Sequence, residues 1–250
     1  NYTDTLPTAA HLRELGFQTF IVDYRLRPYT QQEGALDVAR AVRFIRKNAD
    51  VYGIDPNDIA VMGYSAGGIQ AGEFLLNFDE DVLPTALDPD YIPDELDEVS
   101  AHASAAGRIY SFYGRLSVAS MDADELRSGN LPPTFYCYGT EDPFYRQFEA
   151  QYDLMQEVGV LTKRIVLQDW PHGFGGDGGW VEDYAQWLEM EEPEEIFIHF
   201  LSGTKGRMAY QFHSSCSRKS RILRCLIPLR LISNSSRVTT YLGKLSRTRS

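Results

Sequence analysis

Residues 59–68 read Ile59-Ala60-Val61-Met62-Gly63-Tyr64-Ser65-Ala66-Gly67-Gly68. An apolar, β-branched run stops at Gly63, a serine follows two residues later, and two more glycines precede the helix-compatible stretch 69–76. The order is strand, sharp turn, helix. A residue at the apex of such a turn adopts strained backbone angles, and side chains two positions to either side would collide as the strand folds back into the helix. Glycine at 63 and 67 removes that collision. The turn lifts the Ser65 hydroxyl above the sheet edge and leaves the Ala66 N–H at a helix N-terminus, able to donate to an oxyanion. A Gly-x-Ser-x-Gly pentapeptide alone also occurs in loops of no chemical consequence, so its surroundings decide.

Upstream, residues 8–15 place Ala9, Leu12 and Leu15 on one helical face, with Gly16 as the left-handed cap. Residues 17–24 form an aromatic and β-branched run of strand length. Over 32–52, Val38, Ala41, Val42, Ile45, Ala49 and Tyr52 recur at helical spacing, while Arg40, Arg43, Arg46 and Lys47 occupy a face expected to be solvated. Downstream, 77–107 carries nine acidic residues, three prolines and no Lys or Arg, and is expected to be an irregular, solvated insertion. Strands are expected over 108–113, 134–138 and 163–167, and helices over 144–158, 180–190 and 194–201. Alternating strands and helices predict an α/β domain: a mostly parallel sheet with helices on both faces.

At 250 residues, 43% hydrophobic and 12% aromatic, the chain can form one α/β domain or two small ones. No stretch approaches the ~20 consecutive apolar residues of a membrane span. The first residues do not resemble a signal peptide and lack an initiating Met, so the native N-terminus is expected to be missing and the location cytoplasmic. All 35 acidic residues lie at or before Glu195, whereas 11 of the 24 Lys and Arg lie from Lys205 onward. Residues 1–202 therefore carry −22 and residues 203–250 carry +11. No nucleic-acid partner is expected for the acidic body. Cys137 falls in a predicted buried strand, and Cys216 and Cys225 match no common zinc spacing, so neither a disulfide framework nor a metal site is read.

A serine hydroxyl needs a base to become a nucleophile, and the base needs an orienting acid. In a parallel α/β sheet such groups sit on loops at the carboxyl ends of strands. His172, in Trp170-Pro171-His172-Gly173-Phe174-Gly175, is the one histidine of five that directly follows a strand. Asp142, in Tyr138-Gly139-Thr140-Glu141-Asp142-Pro143, follows another. Glu141 and Asp169 are alternative acids, and Asp142 has the bland alternative of capping the next helix.

Asp23-Tyr24-Arg25-Leu26, the stretch 63–68, residues 138–142 and His172-Gly173-Phe174, in that order, resemble the α/β-hydrolase superfamily over about residues 8–201. The nearest group is the bacterial esterase/lipase proteins related to the hormone-sensitive-lipase-like and acetyl esterases. The resemblance implies Ser65 as nucleophile, His172 as general base and then acid, and Asp142 as its orienter. It implies a covalent acyl-enzyme, a small-molecule ester substrate, acetylated sugars included, and no cofactor. In that family a glycine-rich loop after the third strand supplies the second half of the oxyanion hole, and this chain starts beyond that point. Strand order in the family would then leave a gap between strand 17–24 and the serine-bearing strand, or force the two to pair. Residues 1–202 are thus expected to be an N-terminally incomplete α/β-hydrolase domain, and 203–250 a disordered basic tail. An arm for nucleic acid or anionic membrane is the rival reading of the tail. For the body, the rivals are a serine peptidase of prolyl-oligopeptidase type and a catalytically impaired remnant that only binds.

Overall fold

A computed structural model describes residues 2–190, 223–231 and 238–239. Its helices are α1 (Tyr2–Glu14), α2 (Gln31–Lys47), α3 (Ala49–Tyr52), α4 (Ala66–Asn77), α5 (Ala123–Ser128), α6 (Tyr145–Glu157) and α7 (Trp180–Met190). Its strands are β1 (Phe17–Thr19), β2 (Ile21–Tyr24), β3 (Ile54–Tyr64), β4 (Ala105–Ile109), β5 (Gly114–Arg115), β6 (Val118–Ala119), β7 (Thr134–Gly139), β8 (Thr162–Leu167), β9 (Leu223–Leu231) and β10 (Val238–Thr239). The main sheet runs β10-β2-β9-β3-β4-β7-β8, with β1 also on β9. Every pairing in it is parallel except that of β10 with β2.

The alternation along β3 sorts the helices. A Cβ on Gly63 would meet the Gly67 and Gly68 backbone, so this face lies against α4. Tyr64 points the other way and meets Trp180 of α7 edge-on, with ring centroids 6.2 Å apart. The two helices therefore cover opposite faces, and Ile59–Tyr64 is buried throughout. Burial on both sides is why the stretch reads as a continuous apolar run rather than an alternating one. Gln31 joins α2 to α4 by donating to Glu73 Oε2 at 2.8 Å. His11 joins α1 to α7, its Nε2 3.2 Å from Glu182 Oε1.

Two expected elements are split. The strand expected over 17–24 is interrupted at Phe20, which is fully buried against the edge of Tyr52. The helix expected over 32–52 stops at Asn48, whose Nδ2 donates to Phe44 O at 2.7 Å and so competes with the helical ladder. Its start is fixed by a capping box: Glu33 N–H donates to Thr30 Oγ1 at 3.2 Å, and Thr30 N–H to Glu33 Oε2 at 2.9 Å. The helix expected over 194–201, together with His199, His213 and Cys216, lies outside the described residues.

The face of α2 expected to be solvated is so only in part: Lys47 is exposed and Arg40 and Arg46 are half-buried, but Arg43 is buried. All four grip the acidic segment 77–107, which is irregular and largely exposed, as expected. Arg40 pairs with Asp94 and lies 3.4 Å from Asp97, and Lys47 lies 2.9 Å from Glu95 Oε2. Arg46 donates to the carbonyls of Pro56 at 2.8 Å, Ser100, and His102 at 2.5 Å. Arg43, 1% exposed, donates to Val99 O at 2.8 Å, Glu80 O at 3.0 Å and Val82 O at 2.9 Å. The physical reason is complementary shortage. An irregular segment has carbonyls without ladder partners, and a guanidinium brings five donors that need acceptors.

This grip has a pH signature. Hydrogen bonds from Arg40 and from the Leu96 N–H hold the Asp94 carboxyl down at about 2, from an ordinary 3.8. A lowered folded-state value means the contact's contribution is complete above the ordinary value and is lost as pH falls through about 2. Carboxyl carbon NMR is expected to show Asp94 titrating well below its ordinary 3.8; an ordinary midpoint would contradict the pairing.

The segment 203–250 departs from the expected disorder at two places. Leu223–Leu231 enters the sheet between β2 and β3, and Val238–Thr239 adds an antiparallel edge on β2. Neither the expected gap nor direct pairing of the two strands occurs. Val22 is opposite Leu229, and Val61 is opposite Ile227. An unpaired strand on each side of a vacant position offers two rows of N–H and C=O groups, which a third strand satisfies at once. Pro228, opposite Met62, lacks one donor to this ladder.

Candidate active site

Ser65 occupies the turn between β3 and α4 with φ 47° and ψ −120°, a conformation that costs a non-glycine residue on the order of 1–3 kcal/mol. The surroundings hold it there. Its N–H donates to Ile109 O at 3.0 Å, and its carbonyl accepts from the Ser111 hydroxyl at 2.8 Å and the Ile69 N–H at 3.1 Å. The Gly63 close approach described above leaves no room for any side chain, so the β3-to-α4 reversal requires glycine there. Ala66 opens α4, and its N–H is one of the first-turn donors without an acceptor inside the helix.

His172 lies on the loop after β8, and Asp142 on the loop after β7. His172 Nε2 is 2.8 Å from Ser65 Oγ, and Nδ1 is 2.6 Å from Asp142 Oδ2. A carboxylate can only accept, so Nδ1 carries the proton and Nε2 presents its lone pair to the serine hydroxyl. The Asp142 side chain is fully buried. Its Oδ1 accepts the Phe144 N–H at 2.8 Å, so one oxygen tightens the turn into α6 while the other meets the imidazole. One carboxylate thus bonds both the turn backbone and the imidazole. The rival acids stay exposed: among the described residues neither Glu141 nor Asp169 has a hydrogen bond or ion pair with His172, and Asp169 has its N–H on Thr140 Oγ1 at 2.8 Å.

Several residues of the site were not singled out from the sequence. Tyr110 meets the His172 ring edge-on at 4.8 Å, and Phe144 does so at 5.8 Å from another side. Burial pushes the Tyr110 phenol well up, so it stays a neutral wall beside the imidazole. Ser111 props the elbow, and Leu116 and Ser117, in the β5–β6 turn, line the space above Ser65. The available signal was position, because Tyr110–Phe112 directly follow the strand next to β3. Among the described residues, no group of three or more His, Cys, Asp or Glu converges to hold a metal, and no helix is long and apolar enough to cross a membrane.

A family model named BD-FAE matches residues 1–125, half of the chain. The chain belongs to the BD-FAE family. An acetylxylan esterase of Xylanibacter ruminicola is 26% identical over 202 residues, covering 75% of this chain and 42% of its own length. A probable carboxylic ester hydrolase of Mycobacterium tuberculosis is 32% identical over 108 residues, 43% of this chain and 23% of its own. The chain spans less than half the length of the curated relatives it matches. Among solved structures, an acetyl ester-xyloside bifunctional hydrolase from Caldicellulosiruptor lactoaceticus aligns with TM-score 0.50 at 23% identity, covering 67% of this chain and 69% of that one. This BD-FAE member has the α/β-hydrolase fold.

Proposed function

We propose that the chain carries the catalytic centre of a serine carboxylic-ester hydrolase that removes acetyl or other small acyl groups, those on sugars included. The observation that carries the reading is the continuous hydrogen-bonded line from Ser65 Oγ through His172 to buried Asp142, built on a strained elbow. Ser65 Oγ attacks the ester carbonyl carbon while His172 Nε2 takes its proton. Asp142 stabilises the resulting imidazolium, and the Ala66 N–H donates to the oxyanion. Collapse breaks the bond to the alcohol, which leaves with the proton from Nε2. Water then attacks the acyl-enzyme by the same route in reverse, releasing the acid. His172 carries every proton in the cycle. The sugar-acetate preference draws on the relatives, since proteins named acetylxylan esterase and acetyl ester-xyloside hydrolase are similar to this chain.

Hydrolysis of p-nitrophenyl acetate and of acetylated xylo-oligosaccharides, with fluorophosphonate labelling located by mass spectrometry, tests it. Ester turnover with the label on Ser65 is the expected result. Preference for aminoacyl-prolyl amides would favour the peptidase reading, and absence of both turnover and label would favour a remnant that only binds.

A further inference from the structure

The space over Ser65 is small and has one wall unlike the others. The cavity measures about 30 Å³, is open to solvent on one side and is lined by Ile69, Phe112, Leu116, Ser117 and Phe144. A water-sized group needs ~10–15 Å³ on this measure, so the cavity takes two or three such groups. That suffices for the carbonyl oxygen and methyl of an acetyl, whereas a longer acyl tail has to pass the rim.

Chemistry fixes which half of an ester enters. The alcohol oxygen must end beside His172 Nε2 to be protonated, so the acyl substituent is turned away from the histidine, over the first turn of α4 where Ala66 and Ile69 share a face. Against that turn stands the β5–β6 hairpin, with Gly114 opposite Ala119 and Arg115 opposite Val118.

The wall cannot swing aside cheaply. Gln147 of α6 accepts the Ala119 N–H at 2.9 Å and donates to Ser117 O at 3.3 Å. Fully buried Gln151 donates to Tyr113 O at 2.7 Å and Ser120 O at 2.8 Å, and accepts the Tyr113 N–H at 2.7 Å. Phe112, 2% exposed, is locked against Phe144 and Phe148 at 6.1 and 5.7 Å. Leu116 differs, since it lines the cavity while remaining 64% exposed. It limits the space without being part of the core.

We propose that the β5–β6 turn, through Leu116, is the ruler that sets acyl-chain length at Ser65, admitting acetyl and excluding chains of six carbons. The proposal rests on the esterase reading above and deepens it. Its test is the ratio of kcat/KM for p-nitrophenyl hexanoate to that for the acetate, in the parent chain, in Leu116→Ala and in Leu116→Phe. Each methylene that a pocket fails to house costs on the order of tenfold or more, so the parent ratio is expected below about 0.01. Leu116→Ala is expected to raise it about tenfold or more, and Leu116→Phe to lower the butyrate-to-acetate ratio. A flat chain-length profile in the parent, or ratios that neither variant moves, would overturn the ruler while leaving the esterase standing. Absence of acetate turnover in all three would overturn the esterase reading, and the ruler with it.

Discussion

Replacing Ser65 with Ala is expected to lower kcat for p-nitrophenyl acetate by at least ~10⁴-fold, because the nucleophile is the one part of a serine triad with no substitute. The informative companion is Asp142→Asn. The amide oxygen can still accept the Phe144 N–H, so the turn survives, but the amide nitrogen facing Nδ1 drives the imidazole proton onto Nε2. A protonated Nε2 cannot receive the Ser65 proton. A loss of roughly 10³–10⁴-fold in kcat with an unchanged melting temperature is therefore expected. Glu141→Gln and Asp169→Asn, at exposed positions away from the imidazole, are expected to stay within about threefold of the parent, as surface substitutions do. A large loss in either, with Asp142→Asn active, would reassign the acid.

Arg43→Ala is expected to be strongly destabilising. It removes a buried cation and leaves the carbonyls of Val82 and Val99 without this donor, while Glu80 O keeps only the Ala101 N–H at 2.8 Å. Hydrogen bonds from a charged donor contribute about 1.5–3 kcal/mol each, so losing the set is expected to cost at least ~3 kcal/mol. For a domain of this size that corresponds to roughly 10 °C in Tm. Arg43→Lys keeps the charge but has one nitrogen where the guanidinium spans three carbonyls, so it is expected to fall between. The contrast is Arg127→Ala. Arg127 and Asp124 pair at 2.9 Å with side chains 57% and 95% exposed, and removing such a pair costs under ~1 kcal/mol. Equal losses from both substitutions, read by thermal unfolding, would refute the grip of α2 on the acidic segment.

The elbow could be read in advance because its geometry admits few residue types: Gly63 must be glycine if β3 is to double back into α4. Strand ends likewise narrowed the histidine to His172. They did not decide among Asp142, Glu141 and Asp169, since adjacency to a strand constrains where a loop begins and not which carboxylate turns inward. What turns Asp142 inward is the Phe144 N–H, a contact visible only once the turn is built. The arginine stripe misled for a related reason. Helical spacing says that Arg40, Arg43 and Arg46 share a face, but what that face meets is set by carbonyls such as Val99 O, 56 residues away. The β5–β6 hairpin escaped because two-residue strands carry no periodicity, and residues 108–113 looked like one strand that in fact ends at Ile109.

The insertion of β9 has a temporal side. Val61 of β3 and its partner Ile227 are separated by about two thirds of the 250-residue chain. During synthesis at ~5–20 residues per second, the middle of the sheet waits roughly ten to thirty seconds for its last long strand. Throughout that interval the facing edges of β2 and β3 are templates open to any other extended chain. Helices α2 and α4, with their short-range contacts, can form early; the centre closes last, against a loop-closure cost that must be met before any pairing rewards it. The nascent chain is thus most exposed to misassembly at its geometric centre, on the strand that bears the serine, until Leu223–Leu231 has been made.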